Sequence, residues 1–231
     1  CSEPPSKGIW SVCQGCCPVN VHKSVELPII GAKIPQLQTF TMSEPITVVS
    51  GLPRSGTSMM MQMLVAGGME ALTDGVRTPD TDNPKGYFEF ERVKGLPGDT
   101  GWLDQAHGKV VKVIHRLVTQ LPADRAYRVI VMERDLDEVL LSQGKMLERL
   151  GKPGGALAAE RLKAIFQQDL DRMHATLGQW PNTAVLRVPH SGLIADAAAH
   201  VHTVNTFLGG ALDEARMAAV VDRTLHRSKR S

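Results

Sequence analysis

From Met42 onward, apolar positions follow two alternating rhythms. Residues 46–50 (Ile46, Thr47, Val48, Val49, Ser50) form a β-branched run that ends at a glycine turn, as a strand does. Residues 57–66 then read as a helix stopped by Gly67 and Gly68, since glycine closes a helix in the left-handed conformation at little cost. Residues 109–114 and 127–133 are further strands. Residues 135–150 place Leu136, Val139, Leu140, Leu147 and Leu150 at helical spacing, ended by Gly151. A long helix over 156–177, a strand over 183–188 and helices over 196–208 and 214–225 complete the pattern. Strands separated by helices predict an α/β fold of three layers, a mostly parallel sheet covered by helices on both faces.

Residues 1–41 read differently. They hold Pro4, Pro5, Pro18, Pro28, Pro35 and all four cysteines, and they sustain neither period. We expect 1–41 to be a non-domain extension and 42–231 to be the folded domain. Met42-Ser43-Glu44-Pro45 reads like a natural start, so the extension is either upstream sequence or a segment with a lipid-modified Cys1. Cys1, Cys13, Cys16, Cys17 and His22 lack the second ligand pair of a zinc site, so no metal is expected.

Composition narrows the function. Hydrophobic residues at 42 % exclude a disordered chain, and aromatics at only 4 % mean that the core must be aliphatic and methionine-rich. Met59, Met60, Met61 and Met63 accordingly read as core filling. A net charge of +2 gives no global basic field, which argues against nucleic acid as a partner and leaves any anion site local. No apolar run approaches the roughly 20 residues of a membrane span. Residues 18–231 contain no cysteine, in keeping with a reducing, cytoplasmic setting. The oligomeric state and the identity of any acceptor are not legible.

The segment that carries chemistry is Ser50-Gly51-Leu52-Pro53-Arg54-Ser55-Gly56-Thr57-Ser58, in the order strand, glycine turn, helix start. Gly51 and Gly56 let the backbone bend until successive N–H groups converge. The helix that follows adds unpaired N–H groups and the positive end of its dipole. Ser55, Thr57 and Ser58 add hydroxyls, and Arg54 adds a permanent forked cation suited to oxyanions. The loop thus reads as an anion cradle, with a plain strand-to-helix turn as the competing reading. It departs from the nucleoside-triphosphate loop, which needs Lys and then Ser or Thr after the second glycine.

Residues 53–58, Pro53-Arg54-Ser55-Gly56-Thr57-Ser58, resemble the 5′-phosphosulfate loop of P-loop sulfotransferases that use 3′-phosphoadenosine 5′-phosphosulfate. The resemblance runs from about Met42 to the C-terminus and is closest to short bacterial sulfotransferase-like proteins carrying Asn83-Pro84-Lys85-Gly86-Tyr87-Phe88-Glu89. It implies that Arg134, at a strand end, and Ser142, eight residues on, hold the donor's 3′-phosphate. Without the resemblance, Arg134 reads as an ion pair with Asp135 or Glu138, and Ser142 as a solvated helix residue. The sequence departs from cytosolic members at three places. Met59 stands where they stack adenine on Trp, His190 replaces a Tyr, and the Arg-Lys-Gly segment is absent, with Arg227, Lys229 and Arg230 as substitutes.

The resemblance implies transfer of a sulfuryl group, without a metal, to a hydroxyl or amine of an unspecified acceptor. Arg54 and Lys112 are the candidate cations for the departing phosphate; a strand-edge Lys112 reaching water is the other reading. For the base, His115 lies three residues after Lys112, where a continuing strand sends it to the opposite face. Glu89, behind a probable turn, is preferred, with Asp74 and Asp82 as the other carboxylates. Two other functions stay open: a small-molecule kinase on the same scaffold, and a nucleotide-binding module without catalysis.

Overall fold

The computed structural model describes residues 44–75, 86–149, 151 and 159–221. The expected extension 1–41, Asp82 and the basic residues at 227–230 lie outside them. Four strands, β1 (Ile46–Gly51), β2 (Val110–Lys112), β3 (Tyr127–Glu133) and β4 (Thr183–Pro189), form one sheet in the order β2-β1-β3-β4. Every pairing is parallel, and the register sets Val49 beside Lys112, Gly51 beside Met132 and Glu133 beside Pro189.

All of β1 is buried, which explains its near-continuous apolar run: a central parallel strand has no solvent face. Alternate residues feed two cores. Ile46, Val48, Val129 and Val131 pack with Met173 and Leu177 of α4 (Ala159–Leu177) and Val118 of α2 (His115–Val118). Val49, Ile130 and Met132 pack on the other face with Met60, Met61, Met63 and Leu64 of α1 (Thr57–Ala66). That face is completed by Val201, Val204 and Leu208 of α6 (Ala197–Leu208) and Met217 of α7 (Glu214–Ala219). Helices therefore cover both faces, as the pattern predicts. The methionines are core, each worth about 1.5–3 kcal/mol of burial.

Two elements differ from expectation. The strand at 109–114 shortens to Val110–Lys112, because after Val113 N–H reaches the Val49 carbonyl (3.0 Å) the chain turns into α2 at His115. A short helix α5 (His190–Ala195) follows β4 directly, where no helix is expected. Helix α3 (Leu136–Arg149) starts on Asp135, whose Oδ1 accepts the N–H groups of Asp137 (3.0 Å) and Glu138 (3.1 Å). No helix among the described residues is long and apolar enough to cross a membrane.

Candidate active site

The chain leaves β1 toward β2 and then returns past it to β3, so the connections part where the carboxyl ends of β1 and β3 meet. Open α/β sheets bind ligands at that crevice. The loop after β1 and Arg134 after β3 both lie there.

The loop is tightly wound. Gly51 has φ +151° and Gly56 φ +101°, both conformations that disfavour a side chain. A Cβ on Gly51 would sit 2.6 Å from Ser55 Oγ and 2.7 Å from the Met132 carbonyl; one on Gly56 would sit 2.8 Å from His190 Cδ2. Ser55 N–H is committed to the Leu52 carbonyl (3.2 Å). Those of Thr57 and Ser58 open α1, whose first turn has no intrahelical acceptor and no side-chain cap. The Ser55 hydroxyl is buried and meets no hydrogen-bonding partner among the described residues. Such a group is costly unless something polar completes it. The loop therefore fits a tetrahedral oxyanion held by backbone N–H groups, a hydroxyl and Arg54.

Arg54 is left-handed at φ +66°, rare for a residue with a side chain. Its Nε donates to Ser142 Oγ (3.1 Å), and its carbonyl accepts Arg134 Nη1–H (3.0 Å). Arg134 Nε donates to Glu138 Oε2 (2.9 Å), with both side chains largely buried. The sequence-expected Arg134 and Ser142 thus both come to the loop, yet they meet through Arg54 rather than each other. The ion pair with Glu138, one of the alternatives for Arg134, forms as well.

Lys112 lies across the loop from Arg134. Its ammonium donates to Ser58 Oγ (3.1 Å) and to the Tyr87 carbonyl (3.0 Å), sits 5.8 Å from the centre of the Tyr87 ring, and lies 3.9 Å from Glu89 Oε1. Its side chain is only 10 % exposed, so although β2 is the outer strand of the described sheet, this lysine does not reach out to water. Glu89 is held by its main chain: Thr73 Oγ1 donates to its carbonyl (2.8 Å), and Asp74 N–H reaches the same oxygen (3.4 Å). Phe88, immediately before it, has φ +52°, a strained value for a bulky residue. Asp74 itself accepts the Glu91 N–H, so it braces the segment that carries Glu89.

His115 lies near the Gly51 backbone but on the α4 side of the sheet. It is buried at the start of α2, 3.4 Å from Asp169 Oδ2 on α4 and edge-on to Phe166 at 6.3 Å between ring centres. Burial pushes its pKa down, with Asp169 pulling the other way. It is a packed histidine on the α4 side, while Lys112 reaches toward α1.

Sequence reasoning passed over Asp169, and it named Tyr87 and Phe88 only as members of the 83–89 motif, without a role. Tyr87 offers both its carbonyl and its ring to Lys112, and Phe88 packs against the α1-side core. A cleft of about 330 Å³ opens on the other flank, lined by Ser55, Arg134, Gln167, His174 and Arg187 among others. Glu133 there accepts from Arg187 Nε and lies 3.5 Å from His174 Nε2. Among the described residues no cluster of His, Cys, Asp or Glu has the make-up of a metal site.

The fold and loop together define an α/β protein with a tightly wound, glycine-bounded loop at the switch point of a parallel sheet. No protein-family model and no curated protein matches the sequence. Among solved structures, retinol dehydratase in complex with androsterone and the inactive cofactor PAP shares 17 % identity over 76 % of this chain and 62 % of its own, with a TM-score of 0.44. A mouse sulfotransferase complexed with PAP shares 16 % over 77 % of this chain and 62 % of its own, at 0.48. The sulfotransferase domain of the curacin biosynthetic pathway shares 15 % over 79 % and 89 %, at 0.44. The chain spans less than two thirds of the length of the first two.

Proposed function

We propose that this chain transfers a sulfuryl group from 3′-phosphoadenosine 5′-phosphosulfate to a hydroxyl or amine. The observation that carries the reading is the meeting of two devices at one loop. An oxyanion cradle with an uncompleted buried hydroxyl, Ser55, meets a mostly shielded lysine, Lys112, that ties the start of α1 to a carboxylate, Glu89. The donor supplies the sulfuryl group, which leaves a phosphate oxygen and forms a bond to the acceptor's oxygen or nitrogen. Charge in such a transfer spreads over the peripheral oxygens and gathers on the leaving phosphate. Thr57 and Ser58 N–H groups, the Ser55 hydroxyl, Arg54 and Lys112 are the groups that stabilise it, in a site where donors need no reorganisation.

Glu89 takes the acceptor's proton, and Lys112 keeps the carboxylate aimed at the cradle. In this reading His115 is structural, because it packs on Asp169 and Phe166. Arg134 serves the donor's 3′-phosphate through the N–H groups it does not spend on Glu138 and the Arg54 carbonyl. The domain is taken as 42–231, and the absence of cysteine from 18–231 supports a reducing, cytoplasmic setting.

The test uses sulfur-labelled donor, purified protein and a metabolite extract. Label should move to a product with the wild type and fail to move with Arg54→Ala, a loss of at least about 100-fold given the size of such electrostatic contributions. Transfer of phosphate from a nucleoside triphosphate would instead indicate a kinase. Donor binding without label transfer across broad extracts would indicate a binding module.

A further inference from the structure

We propose that Thr73 is a positioning residue for Glu89: its hydroxyl donates to the Glu89 carbonyl and locks the backbone bend that sets this carboxylate beside Lys112. That Glu89 takes a proton rests on the sulfuryl-transfer reading; the lock on its main chain does not.

Residues 70–74 join the two halves of the Lys112–Glu89 pair. On one side they run parallel to β2, the strand that carries Lys112. Val110 N–H reaches the Glu70 carbonyl (2.9 Å), Leu72 N–H reaches the Val110 carbonyl (2.8 Å), and Ala71 is bridged to Val110. On the other side the same segment meets the chain around Glu89. Thr73 Oγ1 donates to the Glu89 carbonyl at 2.8 Å, Asp74 N–H reaches the same oxygen at 3.4 Å, and Asp74 Oδ2 accepts Glu91 N–H. Phe88 lies directly before Glu89 at φ +52°, a value that a bulky residue keeps only where its surroundings fix it. Here the carbonyl of Tyr87 is held by Lys112 Nζ (3.0 Å) and the carbonyl of Glu89 by Thr73, one anchor on each side of the strained residue. Thr73 is exposed and belongs to none of the apolar clusters, so what it contributes is this contact and not burial. Without the hydroxyl the longer Asp74 bond alone holds the Glu89 carbonyl. Phe88 then relaxes toward extended backbone and turns the next side chain away from Lys112.

The test compares Thr73→Val, which keeps the shape and removes the donor, with Thr73→Ser, which keeps the donor. The first readout is transfer of sulfur label from 3′-phosphoadenosine 5′-phosphosulfate to a metabolite extract. At saturating donor, Thr73→Val should slow transfer about tenfold, the worth of one hydrogen bond spent on aim. The donor concentration that gives half the maximal rate, and the affinity for 3′,5′-ADP, should stay within about twofold, because the cradle is untouched. Thr73→Ser should restore the rate. An unchanged rate in Thr73→Val, an equal loss of rate and nucleotide affinity, or no rescue by Thr73→Ser overturns the proposal. A ligand-free arm separates the lock from the function. By NMR, the coupling between the Phe88 amide and Hα protons, with its Cα shift, reports φ. Phe88 should be left-handed in wild type and Thr73→Ser and extended in Thr73→Val; a left-handed Phe88 in Thr73→Val overturns the proposal. If the wild type moves no label, the transferase reading fails, and the NMR arm still decides the role of Thr73.

Discussion

Arg134 shows how a single residue carries two duties at this site. Its Nε is spent on Glu138 and one Nη1 proton on the Arg54 carbonyl, which together fix the plane of the guanidinium. The remaining N–H groups are held in place by those two bonds, so less freedom would be lost on binding an anion. Arg134→Ala should therefore weaken 3′,5′-ADP far more than 5′-AMP, by roughly tenfold or more in the ratio of the two affinities. Calorimetric titration of both nucleotides checks this, and equal losses would reject the 3′-phosphate as its partner. The residue scale was also where the sequence was most legible. Arg54, Ser55, Lys112 and Glu89 are chemically conspicuous, and all four gather at the loop. Ser142 was placed by resemblance alone, and its actual partner, Arg54, is 88 positions away in the chain, beyond the reach of local spacing.

At the scale of elements, the cradle depends on glycines for two distinct reasons. Gly56 and Gly68 share nearly the same φ, +101° and +105°, but a Cβ on Gly56 meets His190 whereas one on Gly68 meets nothing within 4 Å. Gly68→Ala should cost only the backbone term, about 1–2 kcal/mol, and leave nucleotide binding intact. Gly56→Ala should cost about 1–3 kcal/mol for strain, plus the displacement of His190, and should abolish nucleotide binding. Urea unfolding with parallel titrations distinguishes them, and equal behaviour would show that the His190 contact is unimportant. Helix α1 was readable because glycines bracket it, and β3 because its β-branched residues alternate between two cores. Helix α5 was not. It has six residues, begins straight after Pro189 and contains Gly192, so it offers neither a full amphipathic period nor favourable propensity. The end of β2 was likewise hidden: Val113 and Ile114 favour a strand, but tertiary packing of His115 against α4 turns the chain.

For the molecule as a whole, the sheet order converts sequence distance into proximity. The loop at 51–58, Glu89, Lys112 and Arg134 arise from separate connections, and the order β2-β1-β3-β4 brings them to one edge. Cationic groups converge there in a protein whose net charge is only +2, so their local concentration comes from topology and not from composition. The alternation of strands and helices foretold the layers, whereas the strand order lay beyond it, since order is decided by which crossovers pack best. The most direct measurement of the central claim is a crystal structure of the protein grown with 3′,5′-ADP. The account predicts the 5′-phosphate enclosed by the N–H groups of Thr57 and Ser58 and the Ser55 hydroxyl, with the Arg54 fork and Lys112 turned to its oxygens and the 3′-phosphate on Arg134. A nucleotide bound away from this loop, or a cradle left empty with Arg54 in bulk solvent, would contradict it.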